Sequence, residues 1–124
     1  MAAGIRRESG GVDAAIEVLD IVLKTDKRSA AAYFERGEAW LEKRDYQRAW
    51  IDFDDGIIWS EIHRSDPRFL QLYGVPKLLN GRGMASAGLR RNDIAIADFD
   101  EAIRLDPYLA DAVRNRERLR EGLR

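Results

Sequence analysis

The chain has 124 residues, of which 45% are hydrophobic and 35% are charged, a composition typical of a folded globular domain with a well-solvated surface. Its formal net charge is -1, whereas a nucleic-acid-binding protein normally carries a basic excess that meets the phosphates. Because cysteine is absent, disulfides, thiolate catalysis and cysteine-bound metal are excluded.

The hydropathy pattern contains no membrane or export segment. The apolar runs fall far short of the ~20 residues that a membrane-spanning helix needs. The N-terminal sequence MAAGIRRESGG is charged, and no apolar run of the kind found in secretory signals follows it. We therefore expect a cytoplasmic protein that binds neither membranes nor nucleic acid.

Helical periodicity extends through most of the chain. Apolar residues recur every three or four positions, as at Ile16, Leu19 and Leu23, and this spacing places them on one face of a helix. Polar residues and proline separate six predicted helices, at residues 11–26, 30–43, 46–64, 76–90, 93–105 and 108–122, with a short further helix at 67–73.

One spacing pattern occurs three times along the chain. A small residue is followed 12 positions later by a second small residue, then 4 positions later by a large apolar one, and 3 positions later usually by a small one. The three occurrences are Ala3, Ala15, Leu19 and Val22; Gly37, Ala49, Phe53 and Gly56; and Gly83, Ala95, Phe99 and Ala102. Such small residues let two antiparallel helices cross closely, and pairs of this kind stack to share a core.

The last of these units resembles a tetratricopeptide repeat. Its segment from Asn92 to Pro107, NDIAIADFDEAIRLDP, is similar to the second helix and terminal Asp-Pro of that motif. The first unit keeps only Ala15, Leu19 and Thr25-Asp26. The middle unit resembles the motif through Tyr33, Gly37, Trp40, Tyr46, Ala49 and Phe53, and departs from it at Ser60-Glu61.

The resemblance implies an all-α fold, an α-α superhelix or solenoid of stacked antiparallel helix pairs, with about three repeats and a C-terminal capping helix. It divides the single domain, 1–124, in chain order. The parts are a partial first repeat at 1–29, a second repeat with an extended second helix at 30–64, an insertion at 65–75, a third repeat at 76–109 and the capping helix at 110–124. Of the first helix of the first repeat, only the last turns are expected.

The insertion at residues 65–75 brings apolar side chains that a standard repeat lacks, namely Phe69, Leu72 and Tyr73. One interpretation is that they pad the join between two units, since insertions in solenoids are usually accommodated locally. The other is that they form a docking or self-association surface.

In the tetratricopeptide repeat family, the first helix of each unit lines a concave groove that holds an extended peptide or a helix. Carried over to this sequence, the resemblance implies partner-binding residues at Phe34, Glu35, Glu38, Leu41, Glu42, Lys77, Asn80, Met84, Arg114 and Arg118. The groove would have an acidic wall and a basic wall. It would orient a partner whose basic stretch lies by the glutamates and whose acidic stretch lies by the arginines. The apolar members could instead complete the internal packing.

A well-known use of such grooves is to capture the acidic C-terminal tail of a chaperone with a clamp of lysine, asparagine and arginine. Lys77 matches one clamp position. Gly81 stands at the place of the arginine, Glu35 and Gly4 stand at the places of the two asparagines, and the remaining lysine would lie before Met1. We therefore do not expect this chain to bind an acidic tail.

The other candidate chemistry has structural explanations. His63 is the only histidine and has no neighbours with which to form a triad or a metal site. The acidic run from Asp52 to Asp55 is expected to be a solvated helix face. The glycines at 81, 83 and 88 lack the strand that a phosphate-binding loop requires. Gly81 and Gly88 either form a shallow floor for a partner's backbone or soften the helix. Trp40, Trp50 and Trp59 are expected in the core.

The sequence therefore predicts a protein-interaction scaffold that binds a peptide or helix of another protein, with no cofactor, metal or catalysis. The alternative is a self-associating structural module. Its homodimer would form through the insertion or through the incomplete first repeat, where surface around Ile16, Leu19 and Leu23 is expected to be partly bare.

Overall fold

The computed structural model describes residues 2–60 and 74–123, with side chains over 10–60 and 74–123. This part of the chain forms six helices and contains no strand. The helices are α1 (Ala2–Thr25), α2 (Ala30–Glu42), α3 (Tyr46–Ser60), α4 (Val75–Gly88), α5 (Asn92–Leu105) and α6 (Ala110–Gly122). The predicted all-α class is confirmed.

Consecutive helices form pairs, and the pairs stack in chain order. Helix α2 packs on α3 and α4 packs on α5, while α3 joins the two pairs by contacting α4. Helix α1 packs on α2, and α6 packs on α5. The first helices of the pairs also touch each other, α2 with α4 and α4 with α6, so they lie side by side along one face. This is the predicted solenoid of stacked helix pairs.

The pairs cross where a phenylalanine ring rests on a glycine. A Cβ atom added at Gly37 would lie 2.9 Å from Phe53, and one added at Gly83 would lie 2.6 Å from Phe99. Ala49 is fully buried one turn before the Phe53 ring. A larger residue at these small positions would push the two helix axes apart. The spacing pattern therefore marks the helix crossings, as predicted.

Helix ends recur from one pair to the next. Arg44 follows α2 with a φ of 60°, and Arg90 follows α4 with a φ of 65°. Positive φ is uncommon for residues other than glycine, so the same unusual turn closes the first helix of both pairs. At the start of α2, the Ser29 hydroxyl accepts a hydrogen bond from the backbone N–H of Ala32 at 3.1 Å and caps the helix.

The first unit differs from its prediction. Helix α1 is a single helix of 24 residues that begins at Ala2, where the sequence predicted a helix from residue 11 and the last turns of another helix before it. Ala3 and Ala15 therefore lie on one helix and do not mark a crossing. Gly10 and Gly11 lower the helix propensity at this point, but no proline or capping residue ends the helix there.

The apolar residues expected to be bare on α1 are buried. Ile16, Leu19 and Leu23 are all covered, and the latter two form a cluster with Ala32 of α2. The prediction that they remain partly exposed was wrong, because it placed them on the face turned toward the first helix of the first repeat, whereas this face packs on α2. Among the described side chains of α1, from residue 10 onward, the large apolar ones that are exposed are Val18, Ile21 and Val22.

Two arginines tie neighbouring helices together within the stack. Arg36 donates to both carboxylate oxygens of Asp52 on α3 at 2.8 Å, and its third nitrogen donates to Asp20 on α1 at 2.9 Å. A guanidinium has its donors arranged in a rigid fork, which lets one side chain hold two carboxylates at once. Arg36 thus joins its own pair to the helix that precedes it.

The next pair repeats this arrangement. Arg82 donates to both oxygens of Asp98 on α5, at 3.0 and 2.9 Å, and to Asp54 on α3 at 2.7 Å. Each arginine directly precedes a crossing glycine, and the aspartates lie three or five positions after the second small residue of the spacing pattern, which is Ala15, Ala49 or Ala95. The network therefore follows the spacing pattern of the repeat.

The acidic run on α3 is not a solvated face, as the sequence analysis expected. Asp52 is only 2% exposed and Asp54 is half-buried, and both are bound by the arginines. The prediction was wrong because each partner comes from another helix, far away in the sequence.

Helix α6 repeats the pattern only in part. Arg116 donates to Asp100 on α5 at 3.0 Å, so the link to the preceding helix is kept. Its Nε is buried without a hydrogen-bond partner, and the Glu117 carboxylate lies 3.9 Å away. Glu117 occupies the place that a glycine has in the two pairs. A large charged side chain there prevents a close crossing, as expected of a capping helix with a polar outer face.

Several predictions fall outside the described residues. These are the end of the extended second helix at 61–64, the short helix at 67–73, most of the insertion at 65–75, and the side chains of His63, Phe69, Leu72 and Tyr73. Within 2–60 and 74–123, none of the helices combines the length and hydropathy needed to cross a bilayer.

The arginine network gives a prediction for stability. Arg82→Met should lower the free energy of unfolding by about 2–4 kcal/mol in urea melts, because it leaves the buried Asp98 carboxylate without its partner. The matched control is Arg104→Met on α5, which removes a solvent-exposed pair with Glu101 and should leave the urea midpoint nearly unchanged. Equal effects of the two substitutions would contradict the assigned role of Arg82.

Candidate partner-binding groove

The side-by-side first helices form a concave face with a cavity of about 520 Å³. Helices α2 and α4 supply its two sides, and α6 closes one end. Its lining combines apolar and charged side chains: Phe34, Glu38, Leu41, Glu42, Phe53, Lys77, Asn80, Gly81, Met84, Leu109 and Asp111.

A second cavity of about 480 Å³ continues the first along the same face. The two cavities share Leu41 and Met84, so these side chains form a ridge between them. The second cavity is lined by Leu41, Tyr46, Met84, Ala87, Gly88, Phe99, Asn115, Arg118 and Leu119. Together the two cavities form one groove along this face.

The structure brings most of the predicted partner-binding residues together. Seven of them line the first cavity: Phe34, Glu38, Leu41, Glu42, Lys77, Asn80 and Met84. Arg118 lines the second cavity, whereas Glu35 and Arg114 line neither. Glu35 lies close enough to Glu38 to influence its charge. The role of all these residues in binding stays a prediction.

The α2 side of the groove is acidic, and its field acts on Glu38. Partial removal of water from the Glu38 carboxyl raises its pKa above the ordinary value, and the neighbouring Glu35 and Glu42 raise it further. Lys77 across the groove acts in the opposite direction. The ionised form of Glu38 is therefore less stable in the folded protein than in water, and a bound cation would stabilise it.

The floor of the groove is an aromatic ring packed on bare backbone. A Cβ added at Gly81 would lie 2.4 Å from the Phe53 ring, which also lies against Gly37. Phe34 packs edge-on against Phe53, with ring centroids 5.9 Å apart. Gly88 is required in the same way, since a Cβ there would lie 2.4 Å from Tyr46. Both glycines lie in the groove lining, but the rings of Phe53 and Tyr46 fill the space above them. The sequence analysis had offered a floor for a partner's backbone or a softened helix, and neither includes this packing.

The α6 side is less basic than predicted. Arg114 forms an ion pair with Asp111 on its own helix, and Asp111 itself lines the first cavity. Asn115 donates a hydrogen bond to Asn80 at 3.0 Å and thereby joins α6 to α4 across the groove. Arg118 is thus the basic residue that this helix contributes to the lining.

Several lining residues were missed by the sequence analysis as groove residues. Phe53 and Phe99 were assigned to helix crossings, and their ring edges also reach the groove. Tyr46 was treated only as part of the repeat pattern. Asn115 follows Arg114, a predicted groove residue, and this neighbouring position was the one sign in the sequence that Asn115 lines the groove. Among the described residues, no group of three or more acidic or histidine side chains could hold a metal ion.

Comparisons with known proteins agree on one repeat family. A family model described as tetratricopeptide repeat matches residues 1–67, and no curated protein matches the sequence. The Arabidopsis OM64 TPR domain has a TM-score of 0.75 at 24% identity, with coverage of 95% of this chain and 88% of that domain. The first TPR of Spaghetti (RPAP3), bound to the HSP90 peptide SRMEEVD, has a TM-score of 0.76 at 17% identity, with coverage of 97% and 86%. At these identities, both structures show the fold alone.

The groove floor gives a second prediction. Gly81→Ala should destabilise the fold by about 1–3 kcal/mol, because the new methyl group would overlap the Phe53 ring. Gly122→Ala on α6 is the control, since nothing lies within 4 Å of the added atom, and it should be neutral or stabilising by less than about 1 kcal/mol. Urea melts measure both effects. A neutral Gly81→Ala would contradict the close packing of Phe53.

Proposed function

The chain belongs to the tetratricopeptide repeat family, whose members are generally protein-interaction modules. We propose that its groove binds a segment of another protein, and that this segment carries lysine or arginine beside apolar residues. The segment can be an extended peptide or a helix. The proposal includes a scaffold role without catalysis, in a cytoplasmic setting.

The charge of the first cavity is the observation that carries this proposal. Three acidic side chains, Glu38, Glu42 and Asp111, line it together with one basic side chain, Lys77. Asp111 is paired with Arg114, so Glu38 and Glu42 supply the negative charge that would attract a cationic side chain entering the cavity. Such a side chain would also favour the ionised form of Glu38, whose pKa is raised in the free protein by water removal and by neighbouring glutamates.

Apolar contacts would supply most of the affinity. The ridge of Leu41 and Met84 stands between the two cavities, and Phe34 flanks it on the α2 side. A leucine or an aromatic residue of the partner would cover this ridge and remove apolar surface from water. Exposed charges contribute more to orientation and association rate than to affinity, so the glutamates would select the partner and its direction.

The proposed partner differs in charge from the peptide of the Spaghetti (RPAP3) structure, SRMEEVD, which contains three acidic residues. Here Gly81 stands where the clamp of the family has an arginine, and Phe53 occupies the space above it. Glu38 and Glu42 would repel an acidic tail that entered the first cavity. We therefore propose that the partner also binds in the groove, but that its segment is basic where the peptide SRMEEVD is acidic.

Selection from a displayed library of random peptides tests this proposal. We expect enrichment of peptides that combine lysine or arginine with leucine or aromatic residues. Met84→Arg should abolish the enrichment, because it places a bulky cation on the ridge, and Ile94→Arg on α5 is the control at a similarly exposed position outside both cavities. Enrichment of acidic peptides, or equal selection by the two variants, would contradict the proposal.

Glu38→Gln gives a prediction in which stability and binding change in opposite directions. Since the pKa of Glu38 is raised in the folded protein, its ionisation opposes folding, and the cost is absent at pH below the unfolded pKa and present at neutral pH. The substitution should therefore raise the urea midpoint at neutral pH. It should also weaken a selected cationic peptide about two- to fivefold, measured by fluorescence anisotropy.

The pH dependence of the same peptide provides the control. Binding to the unmodified chain should weaken on acidification at a pH above the ordinary glutamate pKa of 4.5, because protonation of Glu38 removes its charge. This step should be absent in Glu38→Gln. If the substitution instead lowers stability and leaves the binding curve unchanged, Glu38 has a structural role and the proposal loses its main support.

A further inference from the structure

Helix α1 is apolar on two nearly opposite faces. One face is buried on α2 and carries Ile16, Leu19 and Leu23. The other is open to solvent and carries Val18, which is 59% exposed, and Ile21, which is 64% exposed. A helix that is apolar on both sides is normally covered on both sides. The open face therefore calls for a partner.

The corresponding faces of the other second helices are covered. Ala49 and Asp52 of α3 are buried under α2, and Ala95 of α5 is buried under α4. The equivalent positions on α1 are Ala15 and Val18, and both are exposed. Because α1 is one continuous helix from Ala2, no preceding helix in the described part of the chain folds back over this face.

The open face has the spacing of a two-stranded coiled coil. Its residues alternate at intervals of three and four positions, which keeps them in line along the helix. They are Gly11, Ala14, Val18, Ile21 and Thr25, and all are exposed. Glu17 and Lys24 flank this line on one side, one heptad apart, and Ala15 and Val22 flank it on the other.

We infer that this face binds the same face of a second copy of the chain, with the two α1 helices antiparallel about a two-fold axis. In this arrangement Val18 lies opposite the second copy's Ile21, and Ala14 lies opposite its Thr25. Residues on the same flank of antiparallel coiled-coil helices face each other, so Glu17 of each copy meets Lys24 of the other. The symmetry produces two such ion pairs, and the charges match without any other protein.

Other arrangements of two copies lack this match. Parallel α1 helices would place Glu17 beside Val22 of the second copy and leave the charges unpaired. Packing of α6 from a second copy on α1, which would imitate a complete repeat, would set Arg116 and Glu117 against the apolar line. Burying unpaired charges against valine and isoleucine is unfavourable. The antiparallel α1 pair covers the apolar line and also pairs the charges of Glu17 and Lys24 beside it.

A dimer of this kind would present two grooves, because the α1 contact leaves the face formed by α2, α4 and α6 open. A partner with two cationic segments could then bind both grooves and gain avidity. This consequence rests on the proposed function, whereas the dimer itself does not.

Sedimentation equilibrium over a roughly hundredfold range of concentration tests the inference. The average mass should rise with concentration from 14.2 kDa toward twice that value. Ile21→Glu should keep the chain monomeric without loss of fold, since the side chain is exposed in the single copy. Ile94→Glu, at an exposed position on α5, is the matched control and should dimerise normally. Thermal melts by circular dichroism check that both variants are folded.

Charge exchange identifies the contact and its direction. Glu17→Lys or Lys24→Glu alone should weaken the dimer on the order of tenfold, because each creates two like-charge pairs. The double variant Glu17→Lys/Lys24→Glu should restore dimerisation. A mass that stays at the monomer value, a mass that grows beyond the dimer, or single variants that behave like the unmodified chain would each overturn the inference. These outcomes leave the groove proposal intact, since neither residue lines it.

Discussion

Phe53 packs on the bare backbone of two helices, and this contact sets how closely the two helix pairs approach each other. Its ring rests on Gly37 within one helix pair and on Gly81 of the next, so one side chain fixes the crossing of a pair and the approach of its neighbour. The same ring lines the first cavity. The Phe53 contact therefore also shapes the groove. It lets the two helix pairs approach closely, so that their first helices, α2 and α4, lie side by side and form one concave wall. Arg36 and Arg82 also hold this arrangement, because each binds aspartates of two other helices.

Much of the fold could be predicted from the sequence because its signals are local or periodic. The spacing of Gly37, Ala49 and Phe53 recurs at Gly83, Ala95 and Phe99, and both sets form helix crossings. The family resemblance then placed seven of ten proposed partner-binding residues around one cavity. Family membership agrees with this interpretation, although the matched range, 1–67, covers the first two units and the resemblance was drawn chiefly from the third.

The remaining features depend on partners that a single helix pattern does not reveal. Asp52 looked solvated because its partner, Arg36, lies on another helix, and Gly81 looked optional because the ring that fills its space comes from α3. The pairing of Arg114 with Asp111 removed much of the expected basic wall. On α1, the prediction exchanged the face that packs on α2 with the face that is open to solvent. It assumed that a helix ends near Gly10, whereas α1 continues through this point. That exchange also moved the candidate contact between two copies from Leu19 to Val18 and Ile21.

We propose that this protein binds its partner in the acidic groove. Titration of the isotope-labelled chain with a library-selected cationic peptide, followed by two-dimensional NMR, would locate the bound peptide. Saturable shifts are expected at Glu38, Leu41, Asn80 and Met84, which line the first cavity from both sides. Shifts confined to α1 or to residues 61–73, with these four signals unchanged, would contradict the proposal.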